Sequence, residues 1–284
     1  MKRLIVTDST SDLSNEIIDE FKILVLPVKL ILDGKSYNDR VEIKIEDFYE
    51  RYETFKTMST SAVPYEEFAL TYLQLTQKYE EIIFVLCSSQ LSKTYENIVS
   101  VHNDFREKHE CRIAVIDSLQ CGMGLGHIVI EAARKMAKGD SFEDVVAAVN
   151  SMMTRVSTFM AVPTLKYLKK SKRITGLKAF MASALGIRPV LGIEEGRIMV
   201  KTKLMGKKKN LLLALIDTLK EDIGNTPVTM AISHAKEQIY VQSLVSTFST
   251  TFKCRKIYVT YFGPSIGINT GPETMGVTYF KHLT

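Results

Sequence analysis

The 284-residue chain contains no apolar run approaching the roughly 18 residues that a bilayer-spanning helix requires. Its start, Met1-Lys2-Arg3, leads straight into a short strand-like segment rather than the apolar core of a signal peptide, which predicts a cytoplasmic protein. Four cysteines, Cys87, Cys111, Cys121 and Cys254, include no C-x-x-C pair and have no histidine at zinc spacing, so reduced thiols and no metal are expected. Only 7 prolines and 15 glycines are present, which excludes collagen-like and low-complexity chains. Charge of one sign is not in large excess: 37 Lys+Arg against 32 Asp+Glu give +5, with the two signs interspersed, and no nucleic-acid partner is predicted. Nucleotide-binding signatures are missing too. Gly122-Met-Gly124-Leu-Gly126 has the wrong spacing for a dinucleotide loop, no Walker lysine pattern occurs, and the five histidines are scattered along the chain.

What is present is 45% hydrophobic residues, enough for a large core without staples. In the first half, short β-branched runs alternate with amphipathic stretches, the pattern of a parallel sheet covered by helices. Strands are predicted at Leu4–Thr7, Ile23–Leu32, Ile82–Cys87 and Ile113–Ile116, with helices at Tyr65–Tyr79, Thr94–Lys108, from after Asp117 to Lys138, and at Phe142–Met153. Beyond about residue 157 the pattern changes. A proline-led helix at Pro163–Lys170, a small-residue helix at Ala179–Leu185, a hairpin over Pro189–Thr202 turning at Glu195-Gly196, then helix, strand, helix and strand up to Tyr261 are expected. The predicted fold is therefore α/β in two domains: a Rossmann-like parallel-sheet domain over 1–156 and an α+β domain with a hairpin-containing sheet over 157–284.

Three turns are rich in hydroxyls: Thr7-Asp8-Ser9-Thr10-Ser11-Asp12 after the first strand, Thr57 to Pro64 before a helix, and Cys87 to Tyr95 between a strand and a helix. Such residues cap helices. At the carboxyl ends of parallel strands, hydroxyls and free N–H groups also form a place for an oxyanion, either carboxylate or phosphate. Asp8 and Asp117 stand at strand ends that are expected to be neighbours in a parallel sheet, where a pair of acids can serve acid–base chemistry or simply hold loops.

The segments Val6 to Leu13, Thr60-Ser61 with Pro64 and Phe68, Ser88 to Tyr95, Ile116-Asp117-Ser118, Pro163 to Ile174, and Gly263 to Gly267 through Pro272 follow one another as do the motifs of the DegV family, which the chain resembles over residues 6–272. The resemblance implies a protein that is not an enzyme, holds one long-chain fatty acid between its domains, and needs no other cofactor. It implies that Thr60 and Ser92 bind the carboxylate, that the tail enters an apolar tunnel, and that the acid is presented to a partner, in many members a fatty-acid kinase.

The chain departs from the family pattern at four places. Lys93 stands where Gly is usual, Met205 where kinase-coupled members carry Arg, Asn269 in place of His, and Glu273 in place of Gly. Lys93 and Asn269 are thus secondary candidates at the site. Without the Arg and His, a mainly neutral hydroxyl site is expected, one that keeps fatty-acid binding and stabilises an acyl phosphate less, which weakens the case for a kinase partner. Two basic clusters, Lys166–Arg173 and Lys201–Lys209, read as solvated helix and hairpin ends, with an acidic partner or anionic headgroups as the alternative. The rival from another class is a small-molecule hydrolase or phosphotransferase using Asp8 and Asp117.

Overall fold

The computed structural model describes residues 2–168, 173, 187–205, 208–236 and 240–283. The first half runs β1 (Arg3–Asp8), α1 (Asn15–Phe21), β2 (Leu24–Leu26), β3 (Lys29–Leu32), β4 (Lys35–Asn38), α2 (Ile45–Glu50), β5 (Met58–Ser61), α3 (Tyr65–Lys78), β6 (Glu81–Leu86), α4 (Thr94–Phe105), β7 (Arg112–Asp117), α5 (Met123–Ala137) and α6 (Phe142–Met153). The second half runs β8 (Val156–Ala161), β9 (Ile187–Glu194), β10 (Arg197–Met205), α7 (Lys208–Ile223), β11 (Val228–His234), α8 (Val241–Thr251), β12 (Cys254–Tyr261), α9 (Pro264–Thr270) and β13 (Met275–Lys281).

Strands β2-β1-β6-β7 form a parallel sheet, in register Val6↔Leu24 and Ile5↔Ile83. All six residues of β6 are buried, as expected for a central parallel strand covered on both faces. Helices α3 and α4 pack on each other over one cluster built on Phe68, Tyr72 and Phe84. The four-residue spacing of Phe68 and Tyr72 puts both on the buried face. Helix α6 opens at Ser141, whose hydroxyl accepts from the Asp144 amide at 3.1 Å.

The second sheet has the order β10-β9-β8-β13-β11-β12, antiparallel except for β11 with β12. The β9–β10 hairpin turns at Glu195 and Gly196, both with positive φ (47° and 78°), the backbone that a two-residue primed turn demands. The fold is α/β in two domains, and α5 is the wall they share: it touches β1 and β6 on one side and β8 and β13 on the other, and is buried nearly all round. The glycine series on α5 allows this. A β-carbon on Gly124 would lie 2.4 Å from Thr158 Oγ1, and one on Gly126 2.7 Å from the Ser11 carbonyl.

The expected strand over Ile23–Leu32 is a correction. Pro27 cannot donate to a ladder, and the run splits there into β2 of the parallel sheet and β3 of a separate antiparallel sheet, β4-β3-β5. Elements α2, β5, β8, α9 and β13 are not among those expected from the sequence. The expected helix at Ala179–Leu185 and part of that at Pro163–Lys170 lie outside the described residues.

Candidate functional site

The C-terminal ends of the adjacent strands β1 and β6 lie side by side, and Asp8 ties them together. Its Oδ1 accepts from the Thr10 amide (3.0 Å) and its Oδ2 from the Cys87 amide (2.9 Å), so both following turns are fixed relative to each other. Burial raises the Asp8 pKa, partly offset by these bonds to Thr10 and Cys87. Asp117 plays the same part for the next turn: it accepts from the amides of Ser89 and Leu119 at 3.2 and 3.0 Å. Neither acid lines the cavity that opens beyond these turns. Their geometry is that of loop anchors.

That cavity measures about 520 Å³ and takes its walls from both domains. Its polar lining comes from Thr60 and Ser61 at the end of β5, Ser89 and Ser92 ahead of α4, and Asn269 on α9. Its apolar lining comes from Val28, Leu91, Met160, Ile198 and Ile266. Cys87 and Cys121 also face it, and burial pushes both thiols up, that of Cys121 to about 12, so both are neutral.

The structure brings Thr60, Ser92, Lys93 and Asn269 to this one cavity. Ser92 is held by its amide on the Ser88 carbonyl (3.0 Å), and its hydroxyl lies 3.0 Å from that of Thr94. Thr94 in turn accepts from the Val63 amide (3.3 Å), and Asn97 donates to the Val63 carbonyl (2.9 Å), which joins the Thr60 turn to the Ser92 turn. Lys93 lines the rim. Its side chain is 82% exposed and its ammonium sits 3.5 Å from Glu96.

The expectation of a neutral site is corrected by Arg173. Read from sequence as the end of a solvated basic cluster, this residue instead reaches into the cavity. Its Nε donates to the Leu91 carbonyl (2.8 Å), Nη1 to Asn269 Oδ1 (2.8 Å) and Nη2 to Thr60 Oγ1 (3.1 Å). Asn269 is fixed by donation from its Nδ2 to the Ser265 carbonyl (2.9 Å). The only signal for Arg173 in the sequence was its place at the end of the Pro163–Arg173 motif. Of the remainder of that cluster, Lys169 to Lys172 lie outside the described residues, as do Gly206 and Lys207 of the other basic run. At Met205, backbone pairing with Ile187 is what the structure describes.

The second domain closes on the same turns through its hairpin. Ser88 Oγ donates to the Gly196 carbonyl at 2.8 Å, and a β-carbon on Gly196 would lie 2.4 Å from that hydroxyl. On the other side, Tyr49 OH donates to the Phe262 carbonyl (3.0 Å) and Tyr52 OH to that of Gly267 (3.2 Å), holding α9 against α2 and the turn after it.

A parallel-sheet domain and a mixed-sheet domain sharing α5, with a cavity between them lined by hydroxyls, Arg173 and apolar side chains, define a two-domain α/β protein with a ligand-sized cavity where the domains meet. The family model described as "Uncharacterised protein, DegV family" matches residues 2–282, and the chain belongs to the DegV family. A DegV domain-containing protein of Caldanaerobacter subterraneus is 30% identical over 283 residues, 98% of each chain. Among solved structures, a DegV family protein of Thermus thermophilus described by its fatty-acid binding superposes with TM-score 0.86 at 26% identity, covering 99% of this chain and 100% of that one. A Thermotoga maritima protein whose structure revealed a fatty-acid-binding function gives TM-score 0.87 at 25% identity, with 99% and 100% coverage. Among the described residues no helix is long and apolar enough to cross a membrane.

Proposed function

We propose that the chain binds one long-chain fatty acid between its domains, taken as 1–156 and 157–284, with the carboxylate at Thr60 and Ser92 and the tail along the apolar lining. The observation that carries this reading is the Arg173–Thr60–Asn269 cluster in the wall of a cavity to which Val28, Leu91, Met160, Ile198 and Ile266 also contribute. A hydroxyl pair beside a guanidinium suits a carboxylate, because charge-assisted hydrogen bonds are about twice as strong as neutral ones. The fatty-acid-binding descriptions of the Thermus and Thermotoga relatives support the same ligand.

The protein acts as a carrier or presenter of the acid to a lipid-metabolic partner and supplies no catalytic group of its own. A fatty-acid kinase is the partner the family resemblance implies. Met205 and Asn269 argued against it on the ground of an uncharged site, and Arg173 removes that ground. The hydrolase reading with Asp8 and Asp117 has no support from the cavity, which neither acid lines.

Solvent extraction of the purified, unheated protein followed by mass spectrometry tests the proposal. A long-chain fatty acid in near-stoichiometric amount is expected from the wild type and a large loss from the Thr60→Ala/Ser92→Ala double variant, since a hydrogen bond to a charged group contributes about 1.5–3 kcal/mol. An extract free of fatty acid after incubation with palmitate refutes the function. Undiminished retention by the double variant refutes the site.

A further inference from the structure

A buried acid cluster lies beside the cavity where the two domains meet. Asp8 ends β1, Asp12 ends the short turn after it with left-handed backbone (φ 53°), and Asp39 follows β4; all three are buried. Asp12 Oδ1 accepts from the Gly263 amide at 2.9 Å. Gly263 is the N-terminal cap of α9, and α9 carries Ser265, Ile266, Asn269 and Thr270 into the cavity wall. Because Asn269 holds Arg173 and Arg173 holds Thr60, one bonded path runs from the acid cluster through α9 to the guanidinium in the cavity wall.

The cluster is short of positive charge. The groups facing Asp12 are Asp8, Asp39 and Arg40 from the β1 and β4 ends, Tyr49 from α2 and Cys121 from the segment before α5, while Cys87 faces Asp8. Among the described residues Arg40 is the single cation facing Asp12; its Nη2 donates to the Leu13 carbonyl, and its Nη1 is buried without a hydrogen-bond partner among them. Asp39 accepts from Ser9 Oγ (2.9 Å) and faces Ser265 of α9. Among the described residues Asp12 Oδ2 has no hydrogen-bond partner. A β-carbon on Gly122 would lie 3.6 Å from this oxygen, 3.5 Å from Ile266 and 3.9 Å from Phe262, so apolar side chains come close to it; together with the acids Asp8 and Asp39, and against Arg40, they favour a neutral carboxyl.

Building on the fatty-acid reading, we propose that Asp12 is a proton-operated positioning residue: protonated, it keeps α9 seated and the cavity closed, and ionised, it loosens α9 and speeds release of the bound acid. Burial raises the Asp12 pKa to about 8 against the pull of Arg40, raises Asp39 to about 6, and raises Asp8 as well. The closed junction therefore holds more protons than an open one in which these acids meet water. By linkage it is tightest at low pH, loosens progressively as pH climbs from the ordinary carboxylate range toward about 8, and changes no further above it. The ligand's own titration has the opposite sign, since ionising a carboxylate strengthens its attraction to Arg173.

The test uses the full chain loaded with tritiated palmitate and transfer to excess phosphatidylcholine vesicles between about pH 6 and about pH 9. For the wild type, release should accelerate by up to about tenfold per unit as pH rises toward about 8 and level off above it. Asp12→Asn keeps an acceptor for Gly263 and mimics the neutral acid, so its release should be slow and flat across the range. Parallel profiles for the two proteins overturn the latch. Amide exchange of Gly263 and residues 265–270, corrected for base catalysis, decides independently of any ligand. Protection that falls with pH in the wild type and not in the variant sustains the proposal even if palmitate is not held, and equal protection overturns it even if palmitate is.

Discussion

The Arg173 guanidinium donates to Asn269 Oδ1 at 2.8 Å, so residue 269 meets the cavity as the anchor of a cation rather than as a cation itself. The charge at the site thus comes from a residue 96 positions away in the chain, delivered by the segment between β8 and β9.

Arg173→Ala should weaken palmitate retention about 10- to 150-fold, the range expected for a charged hydrogen bond of about 1.5–3 kcal/mol. Arg173→Lys restores the charge without the three-way geometry and should fall between, because an ammonium does not reproduce the guanidinium fork. Asn269→Ala removes the anchor alone and should cost less than Arg173→Ala. Equilibrium binding of a fluorescent fatty acid to the three variants checks the order, and a full-strength Arg173→Ala contradicts it.

Gly196 and Gly139 both have positive φ (78° and 87°), yet a β-carbon meets Ser88 and Leu119 at the first and nothing within 4 Å at the second. Gly139→Ala should cost only the left-handed backbone penalty of about 1–2 kcal/mol. Gly196→Ala must also displace the hairpin tip from Ser88. Thermal unfolding should show the larger drop in Tm for Gly196→Ala, and release of bound acid should quicken in that variant alone.

His127 is buried on α5 between the rings of Tyr258 and Phe280, with centroids at 5.9 and 5.3 Å, and burial lowers its pKa from 6.5 to about 3. The unfolded chain binds a proton there that the native state refuses. This contribution to stability is therefore complete above about pH 6.5 and is lost progressively as pH falls toward 3. In urea unfolding between those limits, wild type should lose up to about 1.4 kcal/mol per pH unit more than His127→Phe. Identical acid limbs would show that His127 is protonated in the folded protein.

Long periodic elements were legible: α6 falls on its expected residues and α3 within one of them, because capping and apolar spacing act over a dozen residues. The hydroxyl turns were legible as a candidate oxyanion site because strand, turn and helix follow one another there in sequence. The break at Pro27 was misread since the apolar run continues on both sides, although the residue that forbids a continuous ladder stands in the middle of it. Arg173 was misread for a different reason. Its partners Leu91, Thr60 and Asn269 come from three distant segments, and a lysine-rich surrounding looks the same in sequence whether its last member faces water or a cavity.

Strand β13, residues 275–281, lies in the interior of the six-stranded sheet, between β8 and β11. During synthesis β8 must wait for more than a hundred further residues before that neighbour exists, so the sheet is assembled from its middle last. A stalled or clipped chain lacking this strand would expose two open edges at its centre rather than shed a frayed end, and such a species should be a preferred substrate for chaperones and proteases.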